Sequence, residues 1–333
     1  MRRLLLLIPV LLGVSLFVFS LTRIAGNPAA AYITERMTPD QIKAIEAQFH
    51  LNDPVYIQYF YWLNGIVHGN WGYSPTASLP VTEAIAVYFP ATFELTMVSM
   101  IIAVVLGIAL GTISAVRKDT PADHATRIMA LSGVSLPIFW LGLMLKFVFA
   151  FELPWLPLGG RYDILLVLRQ PAIHQYTGFW LIDTFLNGNF TLFSDGVWHI
   201  ILPAVTLAFG SIAIITRIMR SSMLEVMSLD YVRTARSKGL PERLVIRKHA
   251  RRNALIPTTT IIGLSFGGLL GGAVLTETIF DWPGLGRWAA SATLSNDWAS
   301  ILGFTLLTAV IYVLVNLIVD VLYAYLDPRV RLE

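Results

Sequence analysis

Four ionisable side chains stand within or beside long apolar runs of this sequence: Glu94, Lys146, Glu277 and Asp320. A charge at bilayer depth costs at least about 2.5 kcal/mol on insertion scales unless it is paired or wetted, so each is a candidate for pairing or for function. Glu94 and Glu277 lie near the ends of their runs, where an interfacial position relieves the cost. Lys146 can snorkel outward along its stem. Asp320 is the most interior of the four, about two turns before Asp327. Structural roles account for the set better than a proton relay does. Enzymatic chemistry has little else to work with. His50, His68, His124, His174, His199 and His249 are scattered, with none at zinc-ligand spacing. The sequence holds no Gly-Lys dipeptide, hence no phosphate-binding loop, and no H-E-x-x-H. With 0 cysteines, it has no disulfide, thiolate metal site or cysteine nucleophile.

A second stretch carries mechanical rather than covalent chemistry. Asp230-Tyr-Val-Arg-Thr-Ala-Arg-Ser-Lys-Gly-Leu-Pro241 reads as a short helix over 231–238. Asp230 suits the N-cap and favours the positive end of the helix dipole. Gly239 supplies a left-handed closing residue, Leu240 the accompanying apolar contact, and Pro241 blocks continuation. A helix this short is marginal in water and needs something to dock on. A second, basic helix follows, with Leu244, Val245, Ile246 and Ala250 among Arg243, Arg247, Lys248, Arg251 and Arg252. On these residues alone, docking on an anionic lipid surface and docking on a protein are evenly matched.

The elements that must position these residues are membrane helices. The 333 residues are 56% hydrophobic and 14% charged, with a mean hydropathy of +0.66, too apolar for a water-soluble fold. Six runs are long enough to cross about 30 Å of hydrocarbon as helices: 4–21, 95–116, 128–151, 200–218, 258–279 and 301–326. None alternates as a barrel strand would. The first run also resembles a signal peptide, but it exceeds the usual apolar length and the small residues Ala29 to Ala31 lie well past its end. With the N-terminus inside, 17 of the 24 Lys and Arg residues fall on the cytoplasmic side, which predicts both termini in the cytoplasm. The net charge of +3 is therefore a topology signal, and no basic segment interleaved with stacking aromatics points to nucleic acid.

Two segments lie outside. In 26–91, Thr38-Pro39-Asp40-Gln41 predicts a capping box opening a helix with Ile42, Ile45 and Phe49 on one face. Tyr56, Phe60, Leu63 and Val67 suggest a second helix. The other segment, about 152–199, reads as an external loop. Gly107 with Gly111, and Gly263, Gly267, Gly268, Gly271 and Gly272, suit close helix packing or a bend along a pathway. Pro137 predicts a kink in the third span. Pro203 and Pro257 read as span-end prolines.

The stretch 230–240, with Ile256-Pro257 beyond it, resembles the EAA cytoplasmic loop of ABC importer permeases in its dipeptide/oligopeptide form. The likeness runs through nearly the whole chain, including Arg3-Leu-Leu-Leu-Leu-Ile-Pro9, Pro90-Ala-Thr-Phe-Glu-Leu-Thr96, Ser135-Leu-Pro-Ile-Phe-Trp140, Arg220-Ser-Ser-Met-Leu-Glu-Val226, Glu277-Thr-Ile-Phe280, Pro283-Gly-Leu-Gly286 and Leu326-Asp-Pro-Arg329. Two places depart from the pattern: Arg233-Thr-Ala235 replaces the generic Glu-Ala-Ala, as in this subfamily, and Ala25-Gly-Asn-Pro28 replaces Pro-Gly-Asp-Pro.

The resemblance implies an all-α polytopic protein of the type I importer architecture, with six transmembrane helices and both termini cytoplasmic. Its parts would be a first helix (1–25), an extracytoplasmic segment (26–91) and a permease domain (92–333) containing the external loop and a coupling loop at about 219–257. It implies no catalysis by this chain. A second homologous permease, two ATP-binding subunits holding ATP and Mg, an extracytoplasmic solute-binding protein and membrane lipid are the implied partners. Asp230, Tyr231, Val232, Arg233, Thr234, Ala235, Arg236, Lys238, Gly239 and Leu240 would form the helix that couples to an ATPase. Di- or oligopeptides are the expected cargo, with oligosaccharides, nickel chelates and glutathione as alternatives within the family. The external aromatics Tyr56, Tyr59, Tyr61, Trp62, Trp71 and Trp155 suit core packing better than sugar stacking. A channel or secondary transporter, with the basic loop on lipid, is the competing class, although no inverted repeat is visible. A membrane-anchored sensor would need a signalling domain that the sequence does not display.

Overall fold

The computed structural model describes residues 2–25, 27, 29, 32–33, 37–48 and 50–326. The chain opens with α1 (Arg2–Ala25), α2 (Pro39–Gln48) and α3 (Val55–Val67), followed by a small hairpin of β1 (Tyr73–Ser74) and β2 (Leu79–Pro80). Then come α4 (Val81–Val116), α5 (Pro121–Ser135), α6 (Ile138–Lys146) with its π-helical continuation Phe147–Glu152, α7 (Ile164–Leu168), α8 (Trp180–Leu186) and α9 (Phe190–Met227). The last third holds α10 (Asp230–Ser237), α11 (Glu242–Leu244) running through a π-helical turn at Val245–Ala250 into α12 (Arg251–Gly272), α13 (Val274–Ile279), α14 (Leu285–Leu294) and α15 (Trp298–Leu326).

Among the described residues, four helical runs are long and apolar enough to cross a bilayer, and a fifth is added if α5 and α6 count as one broken span. The described apolar part of α1, Pro9–Ile24, is shorter. The predicted span 128–151 is therefore two helices meeting at 108°, a sharper break than a kink. Leu136 and Pro137 both take extended ψ values of 130°. Proline lacks the N–H for the helical ladder and pushes the residue before it out of the α region. Elsewhere the helices outrun the predicted spans. Hydrophobicity marks the stretch inside hydrocarbon, whereas backbone hydrogen bonding continues beyond it. Pro203 and Pro257, expected near span ends, consequently lie inside α9 and α12, as Pro90 lies inside α4.

The central contact is α4 against α9. A Cβ on Gly107 would stand 2.6 Å from Ile215 Cγ2, and one on Gly111 would stand 2.7 Å from both Met219 Cβ and the Thr216 carbonyl. Neither position has room for a side chain, so these glycines serve close backbone approach. Gly263 does the same between α12 and α15, where its Cβ would overlap Val319. Gly267 has ordinary clearance and Gly268 faces open space. Apolar clusters fill both sides of the α4–α9 seam, with Ala91, Leu95, Ile200, Ala204 and Leu207 toward one end and Ala115, Met219 and Met223 toward the other.

Glu94 and Glu277, expected at span edges, are buried and hydrogen-bonded. Glu94 is buried, and its Oε2 accepts from Arg161 Nε at 3.0 Å and Nη2 at 2.7 Å, while Oε1 accepts from the Leu181 N–H at 2.7 Å. The carboxylate on α4 thus holds both the loop after α6 and the first turn of α8. Glu277 is fully buried: Oε1 accepts from Thr92 Oγ1 at 2.6 Å and Oε2 from the Arg287 N–H at 3.0 Å. Thr92 Oγ1 in turn accepts from the Leu285 N–H at 2.7 Å. Acceptors therefore converge on the first turn of α14, where orphan N–H groups need them. A Cβ on Gly284 would overlap the Glu277 carboxylate, and one on Gly286 would stand 2.6 Å from Val274 Cα. Lys146 does not snorkel away; it donates to the Ile279 carbonyl at 2.7 Å and lies 3.9 Å from Asp281. The side chain of Asp320 lies outside the described residues.

The end of the bundle opposite the basic loop is more ordered than its loop-like sequence suggests. Thr38 and Gln41 form the expected reciprocal cap, with N···Oε1 2.8 Å and N···Oγ1 3.4 Å, although Phe49 lies outside the described residues. The unanticipated hairpin is held by buried Asp297, whose Oδ2 accepts from Ser74 Oγ at 2.8 Å and Ser300 Oγ at 2.6 Å. In the expected external loop, Asp183 organises the turn before α8 by accepting from the Thr177 and Gly178 N–H groups, both at 2.9 Å.

Removing one member of the buried Glu94–Arg161 pair should be costly, because the survivor is left charged and dry. Glu94→Ala is expected to cost about 3 kcal/mol and to open 161–183 to limited proteolysis. Thermal melts of the solubilised protein should show the double variant Glu94→Ala/Arg161→Ala regaining part of that loss; strictly additive losses would mean that the two side chains are not coupled.

Candidate functional site

The loop between α9 and α12 is built on a core of its own. Val232 and Ala235, three residues apart on α10, are buried against Ala115 of α4, Met219, Met223 and Val226 of α9, Val245 and Ala250 of the π-helical turn, and Ala254 of α12. Three-residue spacing places both side chains on one helical face. The expectation that this helix lacks a packing surface within its own chain is thus corrected. Its stability comes from the ends of the long helices.

The ends of α10 show one departure and one agreement. Asp230 is its first helical residue, and Leu229 occupies the N-cap, with no side-chain cap bond. The Asp230 side chain is 97% exposed, and its Oδ1 stands 3.5 Å from Arg233 Nη1. An acid in the first turn still favours the helix dipole, but it does not cap. At the other end, Gly239 has φ +73° and its N–H donates to the Arg236 carbonyl at 2.9 Å. A residue with a Cβ is strained there, while glycine is not. Leu240 packs against the same apolar cluster, and Pro241 is the N-cap residue of α11.

Polar bonds fix the helix laterally. Asn253 Nδ2 donates to Tyr231 Oη at 2.7 Å, linking α10 to the start of α12. Arg236 donates to both Glu242 oxygens, Nε to Oε2 at 3.1 Å and Nη2 to Oε1 at 2.7 Å. Those hydrogen bonds to Glu242 raise the Arg236 guanidinium above its ordinary value, so it is charged throughout the usable pH range. Asp230, Arg233, Thr234, Ser237, Lys238 and Gly239 remain exposed. Of the ten residues expected to act together, Val232, Ala235 and Leu240 face the chain's own core, Tyr231 and Arg236 brace the loop, and the others face outward. Among the described residues no group of His, Cys, Asp and Glu could hold a metal ion.

One neighbouring residue escaped the sequence reading. Asp123, fully buried, accepts from Arg220 Nε on Oδ1 and Nη2 on Oδ2, both at 2.8 Å, and Ser114 Oγ also donates to it. That node joins α4, α5 and α9 one residue from Ala115 and Met219 of the loop core. Asp123 follows Pro121 and reads as a first-turn helix acid; nothing in its local pattern points to an arginine 97 residues away.

Val232→Asp should place an unpaired polar group inside this core at a cost of at least about 2 kcal/mol. The expected outcome is a lowered melting temperature and loss of protease protection at 229–250, read by limited digestion of the purified chain; unchanged protection would mean that α10 is not held by this contact.

The comparisons accord with this architecture. Residues 107–332 match the family described as binding-protein-dependent transport system inner membrane component, and residues 1–96 match the corresponding N-terminal family. The dipeptide transport system permease protein DppB of Alkalihalophilus pseudofirmus is 45% identical over 332 residues, covering 99% of this chain and 98% of the relative. The di/tripeptide transport system permease protein DppB of Pseudomonas aeruginosa is 44% identical over 333 residues, with 99% and 97% covered. The probable D,D-dipeptide transport system permease protein DdpB of Escherichia coli is 42% identical over 325 residues, with 97% and 94% covered. Among solved structures, a chain of the MetNI methionine ABC transporter, from a study of its inward-facing conformations, is similar with a TM-score of 0.48 at 15% identity, over 71% of this chain and 93% of that one. The chain is a multi-pass inner-membrane protein and belongs to the binding-protein-dependent transport system inner membrane component family, as an ABC permease of the peptide type.

Proposed function

We propose that this chain forms half of the membrane pathway of an ATP-driven, binding-protein-dependent importer of dipeptides, and that the exposed face of α10 seats on an ATPase subunit. The observation that carries this reading is the division of α10 into two faces. One is buried against the ends of α4, α9 and α12, so displacement of the helix is passed to the long helices. The other exposes Asp230, Arg233, Thr234 and Lys238 beside a sharp glycine turn. A ligand or partner shifts a conformational equilibrium only through contacts that differ between its states, and a helix clamped at both edges transmits such a difference.

The remaining parts follow from the family. Two ATP-binding subunits would hold ATP and Mg, a second related permease would complete the pathway, and an extracytoplasmic binding protein would deliver solute. The bias of Lys and Arg toward the α10 end supports six crossings with both termini in the cytoplasm. Dipeptide cargo is supported by the functions named for the relatives, among them DppB of Alkalihalophilus pseudofirmus and DdpB of Escherichia coli. In this reading α10 rides with ATP-driven closure of the ATPases, and α4 with α9 carries that motion toward the Glu94 and Glu277 nodes.

Gly239→Val tests the coupling. A left-handed backbone costs an L-residue about 1–2 kcal/mol, too little to unfold the bundle but enough to displace the end of α10. Membrane insertion should survive, and stimulation of ATP hydrolysis by loaded binding protein in liposomes should be lost; retained stimulation would count against the assignment. The assembly is tested separately by affinity capture after mild solubilisation. ATPase subunits and a second permease should travel with this chain, whereas a self-contained channel would arrive alone.

A further inference from the structure

The helix α3 has no place in the transport cycle as described, yet its surface is unusual for an extramembrane element. From Val55 to Val67 it carries no charged residue, while the adjacent α2 carries Asp40, Lys43 and Glu46. Tyr56, Phe60 and Val67 form an exposed stripe at helical spacing, with Phe60 68% and Val67 75% exposed, and Val55 and Tyr61 widen it. The polar Gln58 is turned inward, donating to the Asp53 carbonyl at 2.7 Å.

The opposite face shows how deep the helix lies. Tyr59 hydrogen-bonds to Ser15 of α1 at 2.9 Å, and the rings of Tyr59 and Trp62 pack on Phe19 at 5.4 and 5.5 Å. Arg23 lies one turn beyond Phe19, its guanidinium 4.8 Å from the Phe19 ring. Taking Arg23 as the headgroup level, Phe19 is about 6 Å below it and Ser15 about 12 Å below at 1.5 Å per residue. A helix lying in the membrane plane sits about 5–10 Å into the headgroup and acyl boundary, and tyrosine and tryptophan concentrate at that level. Leu16, Phe17, Leu21 and Ile24 of α1, the helix on which α3 packs, are likewise exposed and apolar.

We infer that α3 is an interfacial membrane helix whose Tyr56–Phe60–Val67 face is covered by phospholipid acyl chains, so that the segment before α4 is moored in the bilayer. Its depth rests on α1 crossing the bilayer, and the leaflet it occupies on the topology proposed above.

The chain has 0 cysteines, so each introduced thiol is the sole labelling site in this subunit, and the same complex without an introduced cysteine supplies the background. Phe60→Cys, Tyr56→Cys and, on α2, Glu46→Cys are spin-labelled in the assembled transporter in phosphatidylethanolamine/phosphatidylglycerol liposomes. Label collision rates with oxygen and with a water-soluble nickel chelate are then compared. The oxygen-to-nickel ratio should be several-fold higher at positions 60 and 56 than at 46. Ratios as low at positions 60 and 56 as at 46 would overturn the proposal by placing α3 in water. Protection from both reagents would overturn it by placing a protein there. The side is read independently, by labelling Glu46→Cys with an impermeant maleimide in right-side-out vesicles; failure to react would revise the topology and leave the collision result standing.

Discussion

The close approach of α4 and α9 is the contact on which the rest of the structure depends. Gly107 and Gly111 let Ile215 and Met219 press against the α4 backbone, and lipid offers no hydrophobic drive that would hold the pair together without such fit. Both helices extend well past the hydrocarbon, so the seam also positions what lies at their ends. Thr92 and Glu94 of α4 are set at one end, where they anchor α14 and the segment between α6 and α9. Ser114 and Ala115 of α4, with Arg220 and Met223 of α9, are set at the other, where they carry the Asp123 node and the floor under α10.

Burial of charge is tolerated in this bundle because each described buried carboxylate is given several donors. Glu94 has a guanidinium and an amide, Glu277 a hydroxyl and the start of a helix, Asp123 a guanidinium and a hydroxyl. Such pairs are poor sources of net stability, since desolvation offsets much of their attraction. Their effect is positional. A carboxylate that must find its donors admits few alternative placements of α14 or the external segment.

Much of the architecture was legible because the physics that creates it is local. Apolar runs mark α4, α9 and α15, Thr38 and Gln41 mark the start of α2, and Gly239 with Pro241 marks the end of α10. Pro137 located the break between α5 and α6 but not its angle, which tertiary packing decides. The pairs Glu94–Arg161 and Asp123–Arg220 were not legible, because partners 67 and 97 residues apart leave no periodic trace. The same limit hid the core beneath α10: Val232 and Ala235 on a short polar helix look like incidental apolar residues until Met219, Met223 and Val245 are brought against them. Asp230 looked like an N-cap because its type fits, and the chain placed Leu229 there instead.

That hidden core changes what α10 can do. A helix that folded only on its partner would spend part of each docking event on ordering itself, and its tie to the spans would be loose. Because α10 is already seated on α9 and bonded through Tyr231 to Asn253, its outward face is preorganised and its inward face is continuous with the bundle. Arg233 stands on, and Lys238 at the end of, the same short helix whose Val232 and Ala235 pack with Met219 and Met223. Gly239 is then more than a stop signal: its left-handed turn swings the chain back so that Leu240 rejoins the core, closing the loop that keeps α10 fixed to the helices it is proposed to move.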